Sequence, residues 1–245
     1  MAALRIVSLV PSITELVFWL GRGERLVGRT RFCTEPADGV AAVAIVGGTK
    51  NPRIDRIVAS LPDLVLANKE ENRRDDVEAL RAAGLDVLLT DPNSVPDAVA
   101  MCREIGALID AEARAAELAA EIETALAAPS PVRTKRVFAA VWWDPLMGLG
   151  SESYGHDLLE RAGGVNVLAG KARYPRLSLE ELAELRPELI LLPDEPFPFS
   201  TAQAPAFEAV APTRLIDGKL LWWYGPRIPE AIRTLRGIVG ESTAS

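Results

Sequence analysis

The chain is short of the residues on which most metal and redox chemistry depends. Its 245 residues contain two cysteines, Cys33 and Cys102, and one histidine, His156. Two cysteines by themselves make neither a disulfide framework nor a structural zinc site. A single histidine removes most catalytic constellations that need a pair. Basic charge is also in deficit, 27 Lys and Arg against 34 Asp and Glu, a formal charge of −7. That sign is wrong for gripping a phosphate backbone, so no nucleic-acid partner is expected. Every apolar run falls short of the ~20 residues a membrane span needs, with Pro11 and Glu15 interrupting the first. There is no G-x-S-x-G nucleophile elbow, since Ser151 and Ser153 lack its spacing, and no glycine-rich turn after the first strand. Gly47-Gly48-Thr49-Lys50 lacks the spacing of a phosphate loop and reads as a strand-to-helix connection. At the start, Met1-Ala2-Ala3-Leu4-Arg5 runs into an apolar strand without a basic region or cleavage site, and neither cysteine lies near it. The expectation is a cytosolic protein or a mature form from which an export signal was removed.

What is present is a soluble α/β pattern, 49% apolar and 25% charged. Residues 4–10 predict a buried strand, and residues 12–20 a helix with Ser12 and Glu15 as a capping box and Gly21 as its stop. Apolar runs at 25–28, 43–46, 63–67 and 86–90 predict further strands, with helices at 54–60 and 73–83 between the last three. Strands alternating with helices imply parallel βαβ units. Beyond the turn at Asp91-Pro92-Asn93-Ser94, nothing marks a helix break from Val95 to about Ala128; Pro129-Ser130-Pro131 ends the run. Ser94 is the N-cap, and one helix of that length spans roughly 50 Å. Two helices broken around Asp110 are the alternative.

The second half repeats the first. Residues 54–66 (IDRIVASLPDLVL) align without gaps to 179–191 (LEELAELRPELIL), each a helix, a proline, an acid and a buried strand. Arg5-Ile6-Val7 is echoed by Arg136-Val137-Phe138, and residues 15–28 correspond loosely to 157–170. The expected fold is α/β, two Rossmann-like lobes with central β-sheets joined by one long backbone helix. Its boundaries are 1–92, 93–129 and 130–245. A cleft between lobes is a common ligand site.

The aromatics are the unusual feature. Trp142-Trp143 follow the strand at 136–141, and Trp222-Trp223-Tyr224 follow Lys219-Leu220-Leu221, read as another strand. Neighbours on an extended chain face opposite ways, so one member of each pair is left for a flat, bulky ligand. His156 reads as a local cap. Cys33 and Glu70-Glu71 read as a loop cysteine and a solvated helix start rather than metal ligands.

These segments carry a resemblance. Residues 5–21 (RIVSLVPSITELVFWLG), 46–67 (VGGTKNPRIDRIVASLPDLVLA), 136–141 and 155–167 (GHDLLERAGGVNV) resemble the class III solute-binding proteins of ABC importers, the helical-backbone receptors for cobalamin, ferric siderophores and haem. The resemblance implies capture of a metal chelate in the inter-lobe cleft, corrinoid (cobalamin) first and ferric siderophore or haem second, with delivery to an ABC permease. It implies a monomer with no intrinsic cofactor, no catalytic residue, and a metal that arrives only inside its ligand. By position, the ligand-binding residues are Phe32, Trp142 or Trp143, and Tyr174, with Ser12 and Asn68 at further cleft positions and Trp223 and Arg227 on the last loop. Thr49 and Asn68 stand where a cobalamin binder shows Trp. The basic and amide side chains Arg31, Lys50, Asn68, Lys69 and Arg173 suit an anionic chelate instead. Asp55 and Glu180 fall at the permease-docking positions. The family is extracytoplasmic, whereas this chain shows no export signal. The rivals are a cytosolic corrinoid or metal-chelate binding or sensing protein on the same fold, and a chelatase-like enzyme.

Overall fold

The computed structural model describes residues 4–129 and 134–241. The start of the chain at 1–3, and Ser130 and Pro131 of the expected helix stop, lie outside the described residues. The chain forms two compact units. The first gathers the residues up to Asp91 with Val99–Ala120 and Tyr224–Pro226; the second gathers Pro92–Ala98, Glu121–Trp223 and the residues from Arg227 onward. The linking segment at 93–129 is therefore shared between the units.

In the first unit, β1 (Ile6–Ser8) leads into α1 (Pro11–Trp19), then a 3-10 turn, β2 (Leu26–Arg29) and the short α2 (Ala37–Val40). There follow α3 (Ile54–Ala59), β3 (Leu64–Asn68), α4 (Arg74–Ala82) and β4 (Val87–Thr90). The sheet order is β2-β1-β3-β4, with every pairing parallel. β3 is buried along its whole length, as a strand covered on both faces must be. The expected strand at 43–46 is reduced to a single bridge between Arg29 and Ile45. The expected capping box on α1 is absent. Pro11 occupies the first turn, Val10 is the N-cap without a side-chain bond, and Ser12 lies inside the helix. Proline's fixed φ and missing N–H suit that first turn, so the helix begins one residue early. Gly21 does end it, at φ 73°.

The linking segment is α5 (Val95–Leu108) followed by α6 (Glu112–Ala127), not one continuous helix. Asp110 adopts a left-handed φ of 53°, and Ala111 N donates back to Gly106 O at 2.7 Å, the Schellman way of closing a helix. Arginines hold the exposed carbonyls. Ile109 O accepts from Arg22 Nε at 3.0 Å and Arg25 Nη1 at 2.9 Å, and Arg25 also pairs with Asp110 at 3.0 Å. An aspartate sits where glycine is usual, so the stop is unmarked in the sequence. Ser94 caps α5 as expected, its hydroxyl accepting from Asp97 N at 3.2 Å.

The second unit continues with β5 (Lys135–Trp142), β6 (Met147–Gly148), α7 (Tyr154–Arg161) and β7 (Gly164–Asn166). Then come α8 (Leu179–Glu184), β8 (Leu189–Pro193), α9 (Ala204–Glu208), β9 (Thr213–Ile216), α10 (Lys219–Trp222) and α11 (Ile228–Gly240). β7, β5, β8 and β9 pair in parallel in that order, and β6 joins β5 antiparallel. This reproduces the order of the first sheet. Lys219-Leu220-Leu221 lies in a helical turn and not in a strand; Gly218 is its N-cap, and just before it Asp217 Oδ1 accepts from Lys219 N at 2.9 Å. In the looser part of the repeat, Gly163 ends α7 at φ 94° as Gly21 ends α1. The strand starts immediately after it, so residues 168–170 lie past β7.

The repeat extends to individual bonds. Arg5 donates from Nε to Leu61 O at 3.1 Å and from Nη2 to Ser60 O at 2.8 Å, while its backbone N–H meets Asp63 Oδ2 at 2.7 Å. Arg136 does the same to Arg186 O at 3.2 Å, Leu185 O at 2.7 Å and Glu188 Oε2 at 3.0 Å. Leu61 and Arg186, each just before its proline, share a left-handed φ of 47° and 49°. Each arginine thus ties off a helix end and registers β1 on β3, or β5 on β8.

Candidate functional site

In both sheets the chain winds outward in opposite directions from the first strand, so the topological switch lies between β1 and β3, and between β5 and β8. Ligands of open parallel sheets bind beyond the carboxyl ends of the strands at such points.

At the switch of the first unit the chemistry is polar and locked. Asn68 ends β3 fully buried, its Nδ2 donating to Thr90 Oγ1 at 3.1 Å and its Oδ1 accepting from Glu70 N at 2.8 Å. Both ends of this expected ligand-binding amide are taken up by the fold. Ser12 is buried at the start of α1. Asn72, which sequence reasoning missed, does most of the stitching. Its Oδ1 accepts from Asn68 N at 2.9 Å and its Nδ2 donates to Thr49 O at 3.0 Å. The only sequence signal was a second Asn four residues after Asn68. Thr49 is itself buried.

Phe32, on the loop after β2, is 54% exposed, with the Arg31 guanidinium 5.7 Å from its ring centroid. Gly48 lets both close down on its loop. A Cβ there would stand 3.2 Å from Arg31 Nη2, 3.3 Å from Phe32 and 2.3 Å from Asn51 Oδ1. Lys50 Nζ donates to Glu70 O, and Lys69 pairs with Asp91 at 2.6 Å. Burial pushes the Glu71 carboxyl up, an effect that Lys50 opposes and Glu70 reinforces. Cys33 is buried against Thr30 Oγ1 at 3.2 Å, and burial pushes its thiol up; the buried Cys102 thiol is pushed up to about 12. Neither is poised as a thiolate.

At the switch of the second unit the chemistry is aromatic. The tandem tryptophans split as an extended chain requires. Trp143 is half-buried against the core, 5.4 Å from Phe207, whereas Trp142 is 40% exposed and meets the edge of Phe197 at 5.4 Å. Phe197 leads inward through Phe199 at 4.8 Å to Phe207 at 5.9 Å, so the exposed ring rests on a continuous aromatic stack. Phe197 and Phe199 were missed because they lie in the proline-rich stretch PDEPFPF, which shows no strand or helix period.

Tyr174 is half-buried on a loop held by its neighbours. Ser151 N donates to Lys171 O at 2.8 Å and Arg173 N to Ser151 O at 2.7 Å. Trp223 is only 6% exposed, and both Lys219 Nζ, at 5.3 Å, and Arg227 Cζ, at 5.1 Å, lie over its ring. Its face is already covered by cations, so it supports Arg227 rather than offering a bare platform. His156 Nδ1 lies 3.0 Å from Asn166 Nδ2 and acts as a local partner.

Asp55 and Glu180 occupy equivalent first-turn positions of α3 and α8, both exposed. Hydrogen bonding from Arg53, 3.0 Å away, holds the Asp55 carboxyl below its ordinary range; a bond from Ser178 does the same for Glu180. Ser178 and Glu181 form the capping box of α8. Among the described residues no group of three His, Cys, Asp or Glu gathers to hold a metal ion, and no helix is long and apolar enough to cross a membrane.

Two units with the same order of parallel strands and unlike loops at their switch points are the fold of a two-lobed binding protein. Residues 6–216 match the periplasmic binding protein family, and the chain belongs to it. Among curated relatives, a vitamin B12-binding protein of Salmonella choleraesuis (strain SC-B67) is 29% identical over 196 residues, 78% of this chain and 73% of that one. The vitamin B12-binding protein of Yersinia pestis (strain Pestoides F) is 26% identical over 197 residues, 78% and 70% of the two chains. Among solved structures, a periplasmic heme-binding protein of Vibrio cholerae matches with a TM-score of 0.82 at 20% identity, over 98% of this chain and 100% of its own. The periplasmic vitamin B12-binding protein of the same organism matches with a TM-score of 0.73 at 20% identity, over 98% and 99%. At those identities the likeness speaks to the fold.

Proposed function

We propose that the chain is the solute-binding component of an ABC importer and captures a metal chelate, a corrinoid first and haem or a ferric siderophore second. The observation that carries this reading is Trp142, exposed and braced edge-on by Phe197 where the second sheet switches direction, in a chain of the periplasmic binding protein family. A braced, exposed indole offers a flat apolar face at little cost in side-chain entropy. Tyr174 and Arg227, in the same unit, complete its contact surface, and Phe32 is the exposed aromatic that the first unit offers a ligand. Trp143 and Trp223 back that surface, since they are half-buried or covered, while Ser12 and Asn68 are buried in the first unit. Vitamin B12 relatives favour a corrinoid. The basic groups Arg31, Lys50 and Arg173 keep an anionic chelate as the second choice. The ligand binds without a chemical step, and Asp55 and Glu180 meet basic residues of the permease.

The test is a panel of cyanocobalamin, haemin and ferric siderophores added to the purified chain, read by tryptophan emission and melting temperature. Quenching and stabilisation by one class, both lost on Trp142→Ala, is the expected result. A panel in which no member quenches or stabilises overturns the reading.

A further inference from the structure

Glu195 lies two residues before Phe197, and its backbone rests on Gly218. A Cβ on that glycine would stand 2.5 Å from Glu195 Cγ and 2.8 Å from its carbonyl oxygen. Around this contact the loop at 194–199 is sewn to the segment at 217–223. Gly218 N donates to Asp194 Oδ1 at 2.7 Å, Trp222 Nε1 donates to Glu195 O at 2.6 Å, and the Trp223 indole donates to the Glu195 carboxyl. Trp223 in turn lies beneath Lys219 and Arg227. One atom in this seam is unsatisfied: Glu195 Oε1 is buried with no hydrogen-bond partner.

An ionised carboxylate with a buried, unpartnered oxygen pays its desolvation without return, whereas a neutral carboxyl pays far less. The charged groups facing it are Asp194 and Asp217, which oppose ionisation, and Lys219, which favours it. Burial is the largest influence and pushes the carboxyl above its ordinary 4.5; the Trp223 bond and Lys219 oppose this, while Asp194 and Asp217 add to it.

We propose that Glu195 is a positioning residue for the aromatic site and acts as a proton-dependent clasp. In its neutral form it holds the 194–199 loop on the 217–223 segment, and with it Phe197 against Trp142. On ionisation the seam loosens and the brace behind Trp142 is lost. The proposal rests on reading Trp142 and Phe197 as the binding surface, and it adds that proton and ligand bind cooperatively. Because the folded-state carboxyl titrates above its unfolded value, its contribution is full on the acid side and is lost as pH rises through the raised value.

The test uses the whole chain, with Glu195→Gln as a permanently neutral isostere. Tryptophan emission is first followed without ligand from about pH 4 to about pH 8. The wild type should show a transition with its midpoint above 4.5, and Glu195→Gln should show none. Lys219→Met should move the midpoint upward, so a poorly folding glutamine variant does not end the test. Cyanocobalamin and haemin are then titrated across the same range. Wild-type affinity should fall with rising pH by at most about tenfold per unit, the limit for one proton, while Glu195→Gln keeps its acid-side affinity throughout. A wild-type emission profile without that transition, or one unchanged in Glu195→Gln, overturns the clasp whether or not either probe binds. Binding with a pH-independent constant overturns the coupling. A proper emission transition with neither probe bound supports the clasp and counts against the chelate reading alone.

Discussion

The two units share a strand order, an arginine that clamps the helix before the third strand, and a glycine ending the helix after the first. They finish their switch points in opposite ways. In the first unit the loops after β1 and β3 close on themselves through Asn68, Asn72 and Thr90. In the second they open onto Trp142 and Phe197, with the rest of the aromatic stack behind them. Backbone and hydrogen-bond frame can be duplicated while the strand-end residues diverge, because those residues carry little of the frame's stability. One scaffold thus supplies a polar end and an aromatic end.

The units also treat the linking helices alike but at different depth. Arg236, buried on α11, donates from Nη1 to Ala125 O, and from Nη2 to Leu126 O at 2.9 Å and Arg161 O at 3.4 Å, so it ties off α6 and α7 together. Its counterpart at the end of α5 is the part-buried pair Arg22 and Arg25. The largest effect should come from breaking the buried member. Arg236→Ala strands the carbonyl ends of two helices away from water and should cost roughly 3 kcal/mol or more, against about 1–2 kcal/mol for Arg22→Ala, where Arg25 remains. Urea unfolding of both variants checks the order. Equal losses would mean that burial does not distinguish the two joints.

The tandem tryptophans give the next comparison. Trp143→Ala removes a ring packed on Phe207 and should destabilise by about 3 kcal/mol, leaving Trp142 in place. Trp142→Ala should cost little stability and weaken ligand binding by ~1–3 kcal/mol. Paired melting curves and titrations separate the two. A Trp142→Ala variant with undiminished affinity would remove this ring from the site.

The smallest structural effect concerns Asp55 and Glu180. Charge reversal of both, Asp55→Lys with Glu180→Lys, should leave ligand affinity unchanged and shift the melting temperature slightly. If they dock, it should weaken capture of the permease most at low salt, because long-range attraction is screened as salt rises. Unaltered capture by the double variant would leave them as ordinary helix-start acids, favoured there by the dipole.

Most of the frame was legible in the residues. The ungapped match of 54–66 to 179–191 foretold both helix-Pro-acid-strand units, and Arg5 and Arg136 were legible as partners of the repeat, though their bonds to the helix ends were not. Errors fell where a single residue overruled a pattern. Pro11 moved the start of α1, Asp110 broke the linking helix without glycine or proline, and the turn at Asp217-Gly218 led the apolar run into a helical turn. The site was half legible. Composition and doubling pointed to Trp142 and Trp143, and Phe32 followed from the family resemblance. Phe197, Asn72 and Glu195 gave no periodic signal because their loops have none.

The sequence by itself determined the α/β class, the duplicated helix-proline-acid-strand units and the aromatic character of one half. Those rest on local periodicity and on repeats that can be counted along the chain. Only the tertiary structure decided that Trp142 is the exposed member of its pair, that Asn68 is spent on its own loop, and that Trp223 lies under two cations. It also decided that Glu195 is left with a buried oxygen and no partner. Each depends on contacts between residues up to dozens of positions apart, and burial and hydrogen-bond satisfaction exist only once those residues have met.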